Sequence, residues 1–181
     1  MIIAVTNRTL AVHSFLEQIQ RVIEQRPDRI ILREKDLLEY EYKNLAVQVI
    51  HLCETANIPC ILHTYWNVAI QLHHDKIHLP LSVLLQGIPK EKFSMIGASV
   101  HSVEEAILAQ EAGATYITAG HIFATDCKKG VPPREIEFFR EVCSHVSIPV
   151  FGIGGMTPEK EAMIMEANGA GICMMSQFMR L

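Results

Sequence analysis

The run Gly120-His121-Ile122-Phe123-Ala124-Thr125-Asp126-Cys127-Lys128-Lys129-Gly130 puts a histidine, a threonine and two lysines into one loop bounded by glycines. An imidazole titrates near neutral pH and clustered ammonium groups attract anions. The run therefore has the chemistry to move a proton on an anionic ligand. His121 is the candidate general acid and base, with Thr125 and Lys128 as candidate ligand contacts. Cys127 is a lesser candidate as a nucleophile, because nothing in the sequence supplies it with a base.

Three further groups of polar residues stand at the ends of apolar runs. In Arg33-Glu34-Lys35-Asp36 the two cations are two residues apart, so on an extended segment they share a face and can grip one anion. Glu34 between them is either a second proton-handling group or an inward-pointing partner for a base. Gly152-Ile153-Gly154-Gly155-Met156-Thr157-Pro158 is a glycine-rich turn with Thr157 at the N-cap and Pro158 at the first helical position. Backbone N–H groups of Gly154 and Gly155, with Ser176 at the next strand end, make a candidate phosphate cradle. Ser99 ends another apolar run and joins the candidate set. His51, His73, His74, His78 and His145 read as surface or internally satisfied residues. His73-His74-Asp75 is not assigned to a metal, since adjacent histidines diverge on a helix.

These residues need elements to hold them. Short apolar runs recur at Ile2–Val5, Arg29–Leu32, Cys60–Leu62, Lys76–Leu79, Met95–Ala98, Ala114–Ala119, Pro149–Ile153 and Gly171–Met175. Helical or turn-like segments lie between them, at His13–Ile23, Tyr40–Cys53, Asn67–Leu72, Val83–Gln86, Ser102–Ala109, Ile136–Val142 and Pro158–Ala167. Strands that are apolar throughout, in strict alternation with helices, predict a parallel sheet closed as a (β/α)8 TIM barrel. It spans residues 1–181 as a single domain, and its chemistry belongs at the strand ends. Only Gln177-Phe178-Met179-Arg180-Leu181 follow Ser176, so the eighth helix is truncated or absent. That predicts thin cover outside the first, seventh and eighth strands, and hence a homodimer.

Composition narrows the classes. A net charge of −4 disfavours nonspecific nucleic-acid binding, so any anion site is local. No apolar run has the length of a membrane span and no signal region is evident, which predicts a soluble cytoplasmic protein with no membrane partner. Five scattered cysteines without CxxC spacing fit a reducing compartment, with Cys53, Cys60 and Cys173 as core thiols.

The motifs ILREKD, GASVHSVEEA, ATDCKKG, GIGGMTP and MMS together resemble those of the thiamin phosphate synthase superfamily, over nearly the whole chain. The resemblance implies roles in ligand binding for Arg33, Lys35, Ser99, Thr125, Lys128, Gly154, Gly155 and Ser176. Three departures stand out. Ile31 replaces a glutamine, His63-Thr64 replaces an Asn-Asp pair whose aspartate serves magnesium, and Leu79-Pro80-Leu81-Ser82-Val83 lacks a second magnesium-binding aspartate. Gly120-His121, where the synthases have Gly-Pro, looks like the thiazole tautomerase (TenI) branch. That branch implies an isomerase of thiamin biosynthesis which aromatises a phosphorylated carboxythiazole with His121 as acid and base, and without metal or cofactor. Two other expectations stay open: a magnesium-dependent synthase joining a pyrimidine diphosphate to thiazole phosphate, and a non-catalytic phosphate-ligand regulatory protein.

Overall fold

The computed structural model describes residues 1–125 and 130–181. Eight parallel strands close in sequence order into a barrel: β1 (Ile2–Val5), β2 (Arg29–Leu32), β3 (Cys60–His63), β4 (Lys76–Pro80), β5 (Met95–Val100), β6 (Tyr116–Gly120), β7 (Val150–Ile153) and β8 (Gly171–Met174). Closure comes from β1 pairing with β8, with Ile3 opposite Cys173. The strands read as unbroken apolar runs because both faces are buried. One face packs outward on helices, through residues such as Ile30, Leu62, Ile96 and Ile172. The other face fills the barrel with Ile3, Val5, Ile31, Ile61, Tyr116, Phe151 and Cys173.

The helices are α1 (Phe15–Glu24), α2 (Glu39–Thr55), α3 (Trp66–Gln71), α4 (Leu81–Leu85), α5 (Val103–Glu111), α6 (Glu135–His145), α7 (Glu161–Glu166) and α8 (Ser176–Met179). The start of α5 shows how local sequence fixes a boundary. Ser102 Oγ accepts from the Glu105 N–H at 3.1 Å, while the Glu105 carboxylate reaches back one residue further than a capping box, to the His101 N–H. Pro158–Lys160 forms a 3-10 turn rather than the first turn of α7. Thr157 holds the N-cap position with Pro158 opening the turn, as expected, although its side chain makes no capping hydrogen bond to the turn's backbone.

The thin cover expected outside β1, β7 and β8 is corrected. The eighth helix is cut to a single turn, yet Phe178 and Met179 in it are buried. Gln18 on α1 pins the turn by donating to the Phe178 carbonyl at 2.8 Å. On the strands, Ala4, Val150, Ile172 and Met174 are buried. With Phe178 and Met179 buried, that face does not call for a second copy of the chain. Among the described residues, no helix is long and apolar enough to cross a membrane.

Candidate active site

Side chains that face the barrel axis change character along it. Alternation along β3 to β6 carries the inward series Ile61 to His63, Gly97 to Ser99 and Tyr116 to Thr118, so the apolar filling gives way to polar groups towards the strands' C-terminal ends. Above them opens a cavity of about 510 Å³. Arg33 and Lys35 line it after β2, Ser99 and His101 at β5, and Thr118, Gly120 and His121 at β6. Thr125, Gly154, Gly155, Thr157, Ser176 and Gln177 complete the polar part of its wall. The structure thus brings together Arg33, Lys35, Ser99, His121, Thr125, Gly154, Gly155 and Ser176. Lys128 falls outside the described residues, as do Asp126 and Cys127.

The basic turn is held by the acid between its cations. Glu34, 1% exposed, accepts from Thr6 Oγ1 at 2.6 Å and from the Arg8 N–H at 2.9 Å. Thr6 Oγ1 in turn accepts from the Arg33 N–H at 2.9 Å. Burial raises the Glu34 pKa, and these hydrogen bonds oppose the rise. Glu34 is pinned on the face opposite Arg33 and Lys35, which line the cavity. Neither expectation for Glu34 holds: it does not line the cavity, and its partners are a hydroxyl and an amide rather than a basic side chain.

The glycine turn and the histidine loop form one unit. The Phe123 N–H donates to the Gly154 carbonyl at 3.1 Å and the Ile122 N–H to the Ile153 carbonyl at 2.9 Å. Gly154 and Gly155 adopt φ of +96° and +62°, a region L side chains rarely enter. A Cβ on Gly154 would stand 2.2 Å from His121 Cβ, and one on Gly155 would stand 2.5 Å from the Ala124 carbonyl oxygen. Lys160 fastens the turn from outside by donating to the Gly155 carbonyl, its ammonium 4.3 Å from the Phe123 ring centroid.

His121, 4% exposed, borders the cavity at the end of β6. The Gly120–His121 peptide is cis. The His121 carbonyl accepts from the Arg134 N–H at 3.0 Å, so the returning chain fixes its backbone. Its Nε2 lies 3.2 Å from the Val131 carbonyl, which can only accept. A neutral ring therefore carries its proton on Nε2 and its lone pair on Nδ1. That is the form a general base needs.

The floor under Ser99 and Thr118 was not read from the sequence as part of the site. His78, 2% exposed, lies within hydrogen-bond distance of Tyr116 Oη and of Ser99 Oγ, both at 2.9 Å. His63 stacks on His78 with ring centroids 5.4 Å apart, and its Nδ1 lies 2.6 Å from Thr64 Oγ1. Burial, first, and then the Arg33 guanidinium push the His78 pKa down to about 3. Burial, His78, Arg33 and Lys35 hold His63 well below the usual imidazole range. Both rings are neutral at pH 7. The inward alternation of β4 and β5 was the available signal, because it puts His78 beside Ser99 and also brings His101 to the wall.

Whether magnesium fits can be judged from the donors. Magnesium takes oxygen ligands, usually one or two carboxylates with substrate phosphates. The ends of β3 and β4 offer imidazoles, Thr64 and an apolar Leu79-Pro80-Leu81 run. Glu34 is already occupied by Thr6 and Arg8. Among the described residues no cluster of three or more His, Cys, Asp or Glu side chains is arranged to hold a metal. The donor set described does not fit the ion.

The sequence profile of the thiamine monophosphate synthase (TMP-TENI) family matches residues 2–178. The chain belongs to that family. Thiamine-phosphate synthase 2 of Streptococcus pneumoniae is 31% identical, across 97% of this chain and 86% of its own. The thiamine-phosphate synthase of Clostridium acetobutylicum is 30% identical, across 95% and 83%. Among solved structures, thiamine phosphate pyrophosphorylase from Pyrococcus furiosus superposes with a TM-score of 0.82 at 24% identity, covering 98% of this chain and 86% of that one. At that identity the superposition speaks for the fold. As a TMP-TENI family member the chain falls in an enzymatic family that handles phosphorylated ligands, and its barrel follows the expected TIM topology.

Proposed function

We propose that this chain is a thiazole tautomerase, aromatising the phosphorylated carboxythiazole of thiamin biosynthesis by proton transfer through His121. One observation carries the reading. A buried imidazole borders a cavity whose described lining holds cations, hydroxyls and backbone amides, and no carboxylate. Such a cavity suits an anionic ligand whose reaction needs a base and positioning only.

The phosphate docks on the turn of Gly154 and Gly155 and on Ser176, where amide dipoles and a hydroxyl point at negative charge. The carboxylate end is drawn to Arg33 and Lys35. His121 Nδ1 takes the proton from the ring carbon beside the carboxylate. The resulting imidazolium returns a proton to the exocyclic carbon, and the ring gains aromaticity with no net change in composition. The Val131 carbonyl stabilises the imidazolium by accepting from Nε2 throughout.

The test is conversion of the non-aromatic carboxythiazole phosphate in EDTA, followed by ultraviolet absorbance, with His121→Ala alongside. EDTA-resistant turnover that drops about 10²–10⁴-fold in the variant, with product affinity kept, is the expected result. No acceleration over buffer would overturn the reading.

A second reading is favoured by the relatives that bear the name thiamine-phosphate synthase and by the retained Arg33 and Lys35. The chain would then join a pyrimidine diphosphate to thiazole phosphate. Magnesium-dependent release of diphosphate from that pair of substrates would establish it.

A further inference from the structure

We propose that His78, held in one tautomer by Tyr116, is a positioning residue that makes Ser99 a dedicated hydrogen-bond donor to the non-phosphate end of the ligand. In the barrel register Gly97 lies opposite His78 on one side and opposite Tyr116 on the other. A Cβ there would stand 2.2 Å from Tyr116 Cζ and 2.4 Å from both Tyr116 Oη and His78 Nδ1. The missing side chain is the space through which the phenol and the imidazole meet across an intervening strand.

Two proton arrangements satisfy a neutral imidazole between a phenol and an alcohol. In the first, Tyr116 O–H donates to Nδ1, Nε2–H donates to Ser99 Oγ, and the Ser99 proton is left to point into the cavity. In the second, every arrow is reversed: Ser99 donates to Nε2, Nδ1–H donates to Tyr116, and the phenol proton needs another acceptor. Tyr116 is 2% exposed, and among the described residues its hydroxyl has no hydrogen-bond partner besides His78. The reversed chain strands a buried donor, which bears its full desolvation penalty. The first chain strands nothing, because Ser99 lines the cavity.

Deep burial keeps the phenol protonated, its pKa raised well above 10, and keeps the imidazole neutral. Proton order is therefore fixed through the ordinary pH range. Thr118 Oγ1, opposite Ser99 in the register and 3.4 Å from its Oγ, adds a second hydroxyl beside it. The phosphate cradle belongs to β7 and β8, and the same cavity is lined by Ser99 at β5 and by Arg33 and Lys35 after β2, so the other end of a ligand seated there meets the cations and the Ser99 hydroxyl together. An acceptor at that end, a carboxylate oxygen in the function proposed above, receives the Ser99 proton. That assignment of the ligand rests on the tautomerase reading, whereas the tautomer itself does not.

The experiment has a ligand-free arm and a ligand arm. Long-range 1H–15N spectra of protein labelled at histidine nitrogen read the tautomer, with the His78 signals assigned by their loss in His78→Gln. A pyrrole-type Nε2 and a pyridine-type Nδ1 are expected, with mixed tautomers in Tyr116→Phe. A pyrrole-type Nδ1 in the wild-type chain would overturn the proposal. In the second arm, calorimetry measures affinity for the aromatic carboxythiazole phosphate and for inorganic phosphate. Ser99→Ala and His78→Met should each weaken the thiazole by about ten-fold, the cost of one hydrogen bond. His78→Gln, whose amide can donate from the place of Nε2, should recover most of that loss. Equal losses in Gln and Met variants, or none in Ser99→Ala, would overturn the assignment. Unchanged binding of inorganic phosphate checks that each variant keeps its cradle. A wild-type chain that binds inorganic phosphate but not the thiazole counts against the tautomerase reading, and the spectra then still decide the tautomer.

Discussion

The two sides of the barrel mouth solve the same problem with different materials. At β7 and β8 the wall is backbone: Gly154 and Gly155 in left-handed conformations, with Ser176 beside them. From β3 to β6 it is side chain: His63, His78, Ser99 and Tyr116 linked by stacking and hydrogen bonds. Backbone amides present a fixed positive potential whatever the pH. The imidazole floor is neutral only because it is buried, so its state depends on the fold around it. In the function proposed, the first side would bind the anion and the second would orient a donor. Their difference predicts that damage to one shows in affinity and rate, while damage to the other shows first in stability and pH response.

Gly154→Ala should break the backbone side most severely. The added Cβ meets His121 Cβ at 2.2 Å in a conformation alanine avoids, so the turn and the histidine loop shift together. Misplacing a reacting group by about 1 Å costs about 10²-fold in rate. We expect a loss of at least that size in kcat/KM for aromatisation, with weakened inorganic phosphate binding. Unchanged phosphate affinity in a folded variant would mean that the cradle lies elsewhere.

Acid should separate the two sides without mutation. His78 has a folded pKa of about 3, below its unfolded value of about 6.5, so the unfolded chain binds the extra proton between those limits. Its contribution is intact above pH 6.5 and is lost as pH falls, at about 1.4 kcal/mol per unit. His63, also held low by burial, acts in the same direction. Glu34, whose pKa is raised, acts in the opposite direction around and above its unfolded value of about 4.5. Denaturant unfolding between pH 7 and pH 4.5 should show falling stability, with a shallower slope in His78→Gln. A slope unchanged by that substitution would remove His78 from the linkage.

Gly97→Ala tests the side-chain floor by filling it. The new methyl overlaps two fully enclosed rings that have no room to retreat, and overpacking of this kind costs about 1–3 kcal/mol. Thermal melting should record that loss while inorganic phosphate still binds. Loss of phosphate binding without loss of stability would show that the two sides are not separable.

The same contrast explains what the sequence disclosed. GIGGMTP was legible because a glycine turn before a helical proline has few other uses, and unbroken apolar strands in alternation with helices left little room for another fold. Arg33 and Lys35 were legible from their spacing. His78 was not: it sits in an apolar strand with no polar neighbour in sequence, and its partners come from positions 21 and 38 residues away. The deceptive cue was the short C-terminus, which suggested a bare face. Four residues ending in buried Phe178 and Met179 proved enough, because Gln18 on α1 ties them down. Long-range satisfaction of this kind leaves no periodic trace.

Thr64 offers the gentlest adjustment to the side-chain floor. It follows β3 with φ of +68°, in the left-handed region that a β-branched residue avoids. The conformation is imposed from both sides: its N–H donates to the His78 carbonyl at 2.9 Å, and the Trp66 N–H donates to its own carbonyl at 2.9 Å. Its hydroxyl also meets His63 Nδ1 at 2.6 Å. Asparagine tolerates left-handed φ better and carries both a donor and an acceptor with which to reach His63. Thr64→Asn should therefore relieve part of a cost of about 1–3 kcal/mol, giving a gain of about 1 kcal/mol in denaturant unfolding. Kinetics of aromatisation should barely move, since Thr64 does not line the cavity. A destabilised variant would show that the hydroxyl on His63 outweighs the backbone strain, and that the stacked imidazoles depend on it for their alignment.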